Sequence, residues 1–224
     1  MFEELDTLFE SPTIKPSFEI VHVILALFIF EENKEGIGRY RLQKELIIGS
    51  GTARSLIKKL NQAISFIRVL TDENKRKGHI LTKSGFEFLK KLKRKILLIE
   101  EGEPSILKDI IIKTEGNYIF FCLVREATEK ISNGIEQRDA AIKIGGVGAT
   151  CLLFDGKNLI FPSHSRNYNE KDQIKVEDKI SDYIRNLINK KNSRLEENDV
   201  VIIGLGKNPE KARLAALNAA LTIL

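Results

Sequence analysis

Residues 38–63 read GRYRLQKELIIGSGTARSLIKKLNQA, and this stretch decides the fold of the N-terminal half. Its first part predicts a short helix from about Tyr40 to Leu46, followed by a glycine-containing turn over residues 47–51. A second helix is predicted from Thr52, with Ser50 or Thr52 as its cap, because apolar residues recur at helical spacing at Ala53, Leu56, Ile57, Leu60 and Ala63. Two helices joined in this way predict a helix-turn-helix.

The flanking sequence completes the pattern of a winged helix. Upstream, residues 17–32 are predicted to form a core helix, with apolar residues at helical spacing at Ile20, Val23, Ile24, Leu27 and Phe28. Downstream, residues 65–70 and 79–81 are expected to form two strands joined by a polar loop over residues 71–78, the wing. Thr82 is then expected to cap another helix, whose inward residues are Phe86, Leu89 and Leu92.

Basic residues are concentrated in the same part of the chain. Residues 36–95 contain sixteen Lys and Arg against four Asp and Glu. The charge balance is +6 over residues 1–95 and −1 over residues 96–224, although the whole chain carries only +5. Such a partition points to a nucleic-acid partner for the N-terminal half alone. A solvated basic surface is the alternative explanation.

The second helix of a helix-turn-helix enters the major groove, so its polar face is where DNA contacts are expected. Arg54 lies in its first turns, where a guanidinium can bond bidentately to guanine, and Ser55 can contact bases or phosphates. The tip of the wing, at residues 75–77, would reach the phosphate backbone and add affinity without sequence information. The residues predicted to contact DNA are Arg39, Arg41, Ser50, Thr52, Arg54, Ser55, Lys58, Lys59, Lys75, Arg76, Lys77 and His79.

Three segments of this half resemble archaeal winged-helix transcriptional regulators. They are residues 38–46 (GRYRLQKEL), residues 49–56 (GSGTARSL) and residues 78–85 (GHILTKSG). The resemblance implies a winged-helix fold that binds duplex DNA. With the second half included, the chain looks like an archaeal family that couples such a domain to a small α/β domain, and for that domain the resemblance implies no activity.

The C-terminal half alternates strands and helices. Strands are expected over residues 117–124, 149–154, 158–161 and 199–203, and helices within residues 126–144, 176–190 and 209–221. Asp155-Gly156 is typical of a hairpin turn between two of these strands. The expected organisation is a winged-helix domain over residues 1–95, a linker over residues 96–104, and a smaller mixed domain over residues 105–224. The predicted fold class is α/β or α+β.

Two glycine clusters invite comparison with phosphate-binding loops. Gly145-Gly146-Val147-Gly148 follows a helix and precedes a strand, which is the wrong order for such a loop, so a packed turn is expected there. Residues 204–209 are better placed, because they follow a strand and open a helix with Asn208 at the cap. A carboxylate- or phosphate-binding site is therefore predicted at Gly204, Gly206, Lys207 and Asn208. An ordinary strand-to-helix connection is the alternative.

No group of residues typical of catalysis or metal binding emerges from the sequence. Cys122 and Cys151 lie in apolar, strand-like sequence and form no CxxC pair, so buried thiols are expected. His164 lies in a polar loop, but no nucleophile can be paired with it. Glu136, Arg138 and Asp139 are interpreted as a surface ion-pair set. We therefore expect no catalytic residue, no metal and no cofactor.

The sequence as a whole predicts a cytoplasmic transcriptional regulator that binds double-stranded DNA as a homodimer. Its second domain would sense a small-molecule effector, dimerise, or both. An enzyme with catalysis in the C-terminal half and a winged helix that docks proteins are the alternatives. No membrane association is expected, because the apolar run Ile20–Phe30 is too short to span a bilayer and the first ten residues are acidic.

Overall fold

The computed structural model describes residues 2–10, 16–72, 75–111, 115–162 and 173–224. The chain divides into two compact units, an N-terminal unit over residues 1–93 and a C-terminal unit over residues 94–224. Within the described ranges, every pair of neighbouring strands is antiparallel. The fold is therefore of the α+β class, one of the two classes expected from the sequence.

The N-terminal unit combines helices with one β-hairpin. Its elements are a 3-10 helix over Glu3–Leu8, α1 over Ile20–Glu32, α2 over Arg39–Leu46, α3 over Ser50–Gln62, β1 over Ile67–Asp72, β2 over Lys75–Leu81 and α4 over Lys83–Lys93. Helix α1 forms the centre of the unit, because all of its side chains from Val21 to Phe30 are buried. The order of three helices followed by a hairpin is that of a winged helix-turn-helix.

Helix α1 begins later than the sequence pattern predicted. It starts at Ile20 because Glu19 and His22 form a reciprocal capping box, in which the backbone N–H of Glu19 donates to Nδ1 of His22 at 2.9 Å. His22 is only 7% exposed, and burial lowers the pKa of its imidazole. His22 therefore lies in the core, and its ring nitrogen Nδ1 accepts the hydrogen bond that fixes the start of the helix.

The inward face of α4 contains Leu89 and Leu92, as the sequence predicted, but not Phe86. Thr82 does cap the helix, because its Oγ1 accepts a hydrogen bond from the backbone N–H of Gly85 at 3.2 Å. Phe86, however, is 46% exposed, whereas Phe88 is 4% exposed and its ring lies 5.1 Å from that of Phe66. The buried stripe runs through Gly85, Phe88, Leu89 and Leu92, and Phe86 lies outside it.

We expect Phe88→Ala to destabilise the N-terminal unit by about 3–5 kcal/mol, since it removes a buried ring and leaves a cavity. The matched control is Phe86→Ala, which removes the same ring from a largely exposed position and should cost less than about 1 kcal/mol. Urea unfolding followed by far-ultraviolet circular dichroism measures both. Similar losses for the two variants would show that Phe86 is a core residue after all.

The C-terminal unit is a five-stranded antiparallel sheet with helices on both faces. Its elements are β3 over Ile96–Gly102, α5 over Pro104–Leu107, β4 over Tyr118–Val124, a 3-10 helix over Thr128–Lys130, α6 over Ile135–Lys143, β5 over Gly148–Phe154, β6 over Leu159–Ile160, α7 over Asp178–Lys190, β7 over Val200–Gly206 and α8 over Pro209–Leu221. The strand order is β3-β4-β7-β5-β6. Helices α6 and α8 pack on one face, and apolar residues of α7 pack on the other.

Two expectations about domain organisation are wrong. The segment predicted to be a linker, residues 96–104, contains β3, which pairs with β4 from Ile96↔Val124 onwards and forms the edge of the sheet. The unit boundary therefore lies between Lys93 and Arg94, and the C-terminal unit is the larger of the two. The apolar run Ile96–Ile99 is short and lies directly after the charged end of α4, so its sequence resembles that of a connection.

Candidate nucleic-acid interface

The turn between α2 and α3 is shorter than predicted. Ile47 ends α2 in a left-handed conformation with φ of 52°, and the backbone N–H of Ile48 donates to the carbonyl of Gln43 at 3.2 Å. Gly49 is then the cap residue of α3, so neither Ser50 nor Thr52 caps the helix as predicted. Only residues 47–49 separate the two helices, which matches the tight turn of a helix-turn-helix.

The exposed part of α3 has two flanks that lie on either side of its buried stripe. The stripe consists of Ala53, Leu56, Ile57 and Leu60. One flank carries Ser50, Arg54 and Lys58, which are spaced four residues apart and are all exposed. The other carries Thr52, Ser55 and Lys59, which are half-buried. The six predicted contacts on α3 thus divide into three exposed and three half-buried positions.

The flank with Ser50, Arg54 and Lys58 is open and positively charged. Within the described ranges, neither Arg54 nor Lys58 has a hydrogen-bond or ion-pair partner. Their charges are therefore not neutralised locally and remain available to a phosphate or a base edge. The helix has no acidic residue in its first turn that would oppose an approaching phosphate.

The opposite flank of α3 is occupied by the protein itself. The Nζ atom of Lys59 donates to the carbonyl of Leu8 at 2.6 Å and to that of Glu10 at 3.0 Å. The hydroxyl groups of Thr52 and Ser17 share a hydrogen bond of 2.7 Å. Lys59 and Thr52, both predicted to contact DNA, are thus engaged by residues at the beginning of the chain.

The hairpin of the wing is longer and its loop shorter than predicted. Strands β1 and β2 continue to Asp72↔Lys75, with an irregularity at Leu70/Thr71, whereas a loop had been expected over residues 71–78. Lys75, Arg76 and Lys77 therefore belong to β2, and their side chains lie outside the described part of the structure. His79 is half-buried and exchanges backbone hydrogen bonds of 3.0 and 2.9 Å with Ile37.

Gly78 allows this close pairing of the wing with Ile37. Its φ is +121°, and a Cβ at this position would lie 2.6 Å from the carbonyl carbon of Ile37. The wing is thus anchored to the segment that leads into α2. The hairpin is therefore held against the segment that begins the helix-turn-helix.

Helix α2 contributes a third group of polar residues. The guanidinium of Arg39 lies 4.9 Å from the ring centre of Tyr40 and donates to its hydroxyl at 3.2 Å. Arg41 approaches Glu45 at 3.7 Å, an exposed pair of small energetic value. Tyr40 is 74% exposed and was not among the predicted contacts, although its position between two arginines was the available signal.

The ligand site predicted in the C-terminal unit is not formed. Gly204 and Gly206 lie inside β7, where they pair with neighbouring strands and leave no phosphate-binding loop. A Cβ on Gly204 would lie 2.2 Å from the backbone nitrogen of Ala216, and one on Gly206 would lie 2.3 Å from that of Ala212. These glycines allow α8 to approach the sheet closely. Asn208 caps α8 as expected, its Oδ1 accepting from the backbone N–H of Lys211 at 2.8 Å.

Other predictions for the C-terminal unit have clear outcomes. Cys122 and Cys151 are buried free thiols, as expected, and burial raises the pKa of Cys151 to about 12.

Arg138 and Asp139 form an exposed ion pair, in which Nη2 of Arg138 lies 2.8 Å from Oδ1 of Asp139. Gly146 packs against α8, as expected for a turn under the sheet. His164 lies outside the described residues.

Two features are absent from the part of the chain that the structure describes. No group of three or more His, Cys, Asp or Glu side chains could hold a metal ion there. In the same ranges, no helix is both long and apolar enough to cross a bilayer.

The N-terminal unit has the helix and strand order of a winged helix-turn-helix, with one open basic flank on its second helix. Residues 19–87 match the family described as "PH0730-like, N-terminal domain", and residues 115–223 match a domain of unknown function, DUF4443. None of the curated proteins compared with the chain matches it.

A solved structure has a similar fold over most of the chain. It is described as hypothetical protein PH0730 from Pyrococcus horikoshii OT3, is 24% identical, and has a TM-score of 0.60. The similarity covers 92% of this chain and 93% of the other. The combination of both units is therefore shared with an archaeal protein.

Proposed function

We propose that this protein is a cytoplasmic DNA-binding transcriptional regulator whose N-terminal unit contacts duplex DNA. The observation that carries the proposal is the open flank of α3, where Arg54 and Lys58 are exposed and have no partner among the described residues. Uncompensated cations on the second helix of a helix-turn-helix suit the major groove and its phosphates. The charge excess of residues 36–95 supports a nucleic-acid partner for this unit.

The C-terminal unit would then serve dimerisation, effector binding, or both. Paired copies would place two α3 helices on half-sites about one helical turn apart. The selection of bound duplexes from a random pool at about 150 mM salt tests the proposal, since weak exposed contacts are screened at that concentration. An enriched palindrome is the expected result. If no duplex is retained, the proposed DNA-binding function is wrong and a protein-docking role becomes the better hypothesis.

Replacing Arg54 with alanine is expected to weaken binding to the selected duplex by about 1–3 kcal/mol, the value of a lost bidentate base contact. Binding to random duplex should weaken less, because only a charge is lost there. The control is Arg138→Ala, which removes an exposed arginine of the C-terminal unit. Fluorescence anisotropy titrations measure all of these affinities. Equal losses of affinity for both duplexes would show that Arg54 contacts a phosphate and not a base.

The triple variant Lys75→Ala, Arg76→Ala and Lys77→Ala is expected to weaken binding to all sequences and to flatten the dependence of affinity on salt. The wing would contribute phosphate contacts, so the ratio between selected and random duplex should hardly change. A control with the same loss of charge replaces Lys108, Lys179 and Lys207, which are exposed in the C-terminal unit. If the salt dependence of the wing variant is unchanged, the wing does not contact DNA phosphates.

A further inference from the structure

Residues 2–10 form an acidic segment, which we call the arm. The arm carries four carboxylates, at Glu3, Glu4, Asp6 and Glu10, and no Lys or Arg. All four acidic side chains are exposed. The arm therefore places a negative surface on a unit that is otherwise basic.

The arm is packed as a fixed part of the N-terminal unit. Leu5 and Leu8 are fully buried, and the ring of Phe9 lies 5.6 Å from that of Phe18. Glu4 pairs with Lys91 at 3.2 Å. Two buried leucines in such a short segment favour a stable position, because each removes a full side chain from water.

The arm meets α3 at Lys59. Leu8 is the last residue of the 3-10 helix, and carbonyl groups at a helix end carry partial negative charge and lack partners within the helix. The ammonium of Lys59 satisfies the carbonyls of Leu8 and Glu10 there. Ser17 binds Thr52 on the same flank, closer to the start of α3. This flank of α3 is thus engaged at both ends.

We propose that the arm is an electrostatic guard that restricts duplex DNA to one flank of α3. It takes Lys59 out of the set of DNA contacts. Its exposed carboxylates add negative potential to the unit, and Glu10 adds it at the residue whose carbonyl accepts a hydrogen bond from Lys59, so phosphates are disfavoured on the flank that carries Thr52 and Lys59. The duplex is left with the flank of Ser50, Arg54 and Lys58.

The guard rests on the proposed function, and it adds a feature that determines how the duplex is oriented on α3. Phosphate contacts alone allow a duplex to bind in several registers, because they carry no sequence information. Repulsion on one flank removes registers in which Arg54 does not face a base edge. The arm therefore lowers affinity for random duplex more than affinity for the selected duplex.

Neutralising the arm without changing its shape tests this role. The variant combines Glu3→Gln, Asp6→Asn and Glu10→Gln, and leaves Glu4 paired with Lys91. The matched control combines Glu129→Gln, Glu136→Gln and Glu197→Gln, three exposed carboxylates of the C-terminal unit, and changes the net charge equally. At about 100 mM salt, where the screening length is about 10 Å, only charges near the interface act strongly.

The arm variant is expected to bind random duplex about three- to ten-fold more tightly, with a smaller gain on the selected duplex. The control should change by less than about two-fold. Equal gains for both variants would overturn the guard while leaving DNA binding intact. If the wild type itself binds no duplex, the proposed function and the guard are both wrong.

Two adjacent lysines supply a second test. Lys58→Ala should reduce the salt slope by about one and leave thermal stability unchanged, because this side chain is proposed to contact only phosphate. Lys59→Ala should leave the salt slope unchanged and lower the thermal midpoint by a few degrees, since it frees the carbonyls of Leu8 and Glu10. A salt slope lowered equally by both substitutions would return Lys59 to the interface and overturn the proposal.

Discussion

Replacing Gly204 with alanine is expected to destabilise the C-terminal unit by about 3 kcal/mol or more, at the upper end of the cost of overpacking a core. The added Cβ would lie 2.2 Å from the backbone nitrogen of Ala216 and 2.6 Å from its Cα. No rotation of a side chain relieves this clash, because both atoms belong to the helix backbone. Helix α8 would have to move away from β7, exposing the alanines that it packs on the sheet.

Urea unfolding followed by circular dichroism, together with hydrogen exchange of the β7 amides, measures this effect. The control is Gly51→Ala in α3, where a Cβ meets no atom within 4 Å and the change should be neutral or stabilising by up to about 1 kcal/mol. Adding Ala216→Gly to Gly204→Ala should not restore stability, since the backbone atoms remain. A fully stable Gly204→Ala variant would mean that the close approach of α8 is not a constraint.

The glycines of β7 show what local pattern could not predict. The order of strand, Gly-x-Gly, Asn and Pro does end in a helix that begins at Pro209, as predicted from capping preferences. Whether these glycines allow a ligand or a helix to approach the strand depends on which group packs against them in the fold. Five alanines on α8 are buried, and they were the signal that a helix lies close to the sheet: Ala212, Ala215, Ala216, Ala219 and Ala220.

The candidate interface was also predictable only in part, because some of its contacts are local in sequence and others are not. Helical spacing identified the polar face of α3 and therefore Arg54 and Lys58, because that information is local. The different role of Lys59 was not predictable, since its partners are backbone carbonyls of Leu8 and Glu10, about fifty residues earlier in the chain. Every residue has a backbone carbonyl, so the sequence does not show which of them accepts a hydrogen bond from Lys59. Strand β3 was not predicted because its apolar run, Ile96–Ile99, is short and follows the charged end of α4, so only its pairing with β4 identifies it as a strand.

One buried ion pair in the C-terminal unit also depends on contacts distant in sequence. Asp199 is 1% exposed and pairs with Arg125, which follows β4. The guanidinium of Arg125 also donates to the carbonyl of Arg194 at 2.8 Å and to the hydroxyl of Ser193 at 2.5 Å. The backbone N–H of Glu196 donates to Asp199 at 2.8 Å. This network joins the end of β4 to the loop that precedes β7.

Arg125→Ala is expected to cost about 3–5 kcal/mol of stability near neutral pH, because it leaves a buried carboxylate without its counter-charge. The exposed pair of Arg138 and Asp139 supplies the control, and Arg138→Ala should cost less than about 1 kcal/mol. Combining Arg125→Ala with Asp199→Asn should recover part of the loss, since a neutral amide is less costly to bury than a carboxylate. Urea unfolding at several pH values measures all four proteins.

The loss caused by Arg125→Ala should depend on pH in a defined direction. In the wild type, burial raises the pKa of the Asp199 carboxyl, and Arg125 acts against that rise. Without Arg125 the folded-state pKa rises further above the unfolded value of about 4, so the folded variant holds this proton more tightly than the unfolded chain does. Its stability then falls as pH increases through that interval, and the loss relative to wild type is largest at neutral pH and smaller at about pH 4–5. A loss of equal size across this range would attribute the effect to the hydrogen bonds of Arg125 with Ser193 and Arg194 rather than to the stranded charge of Asp199.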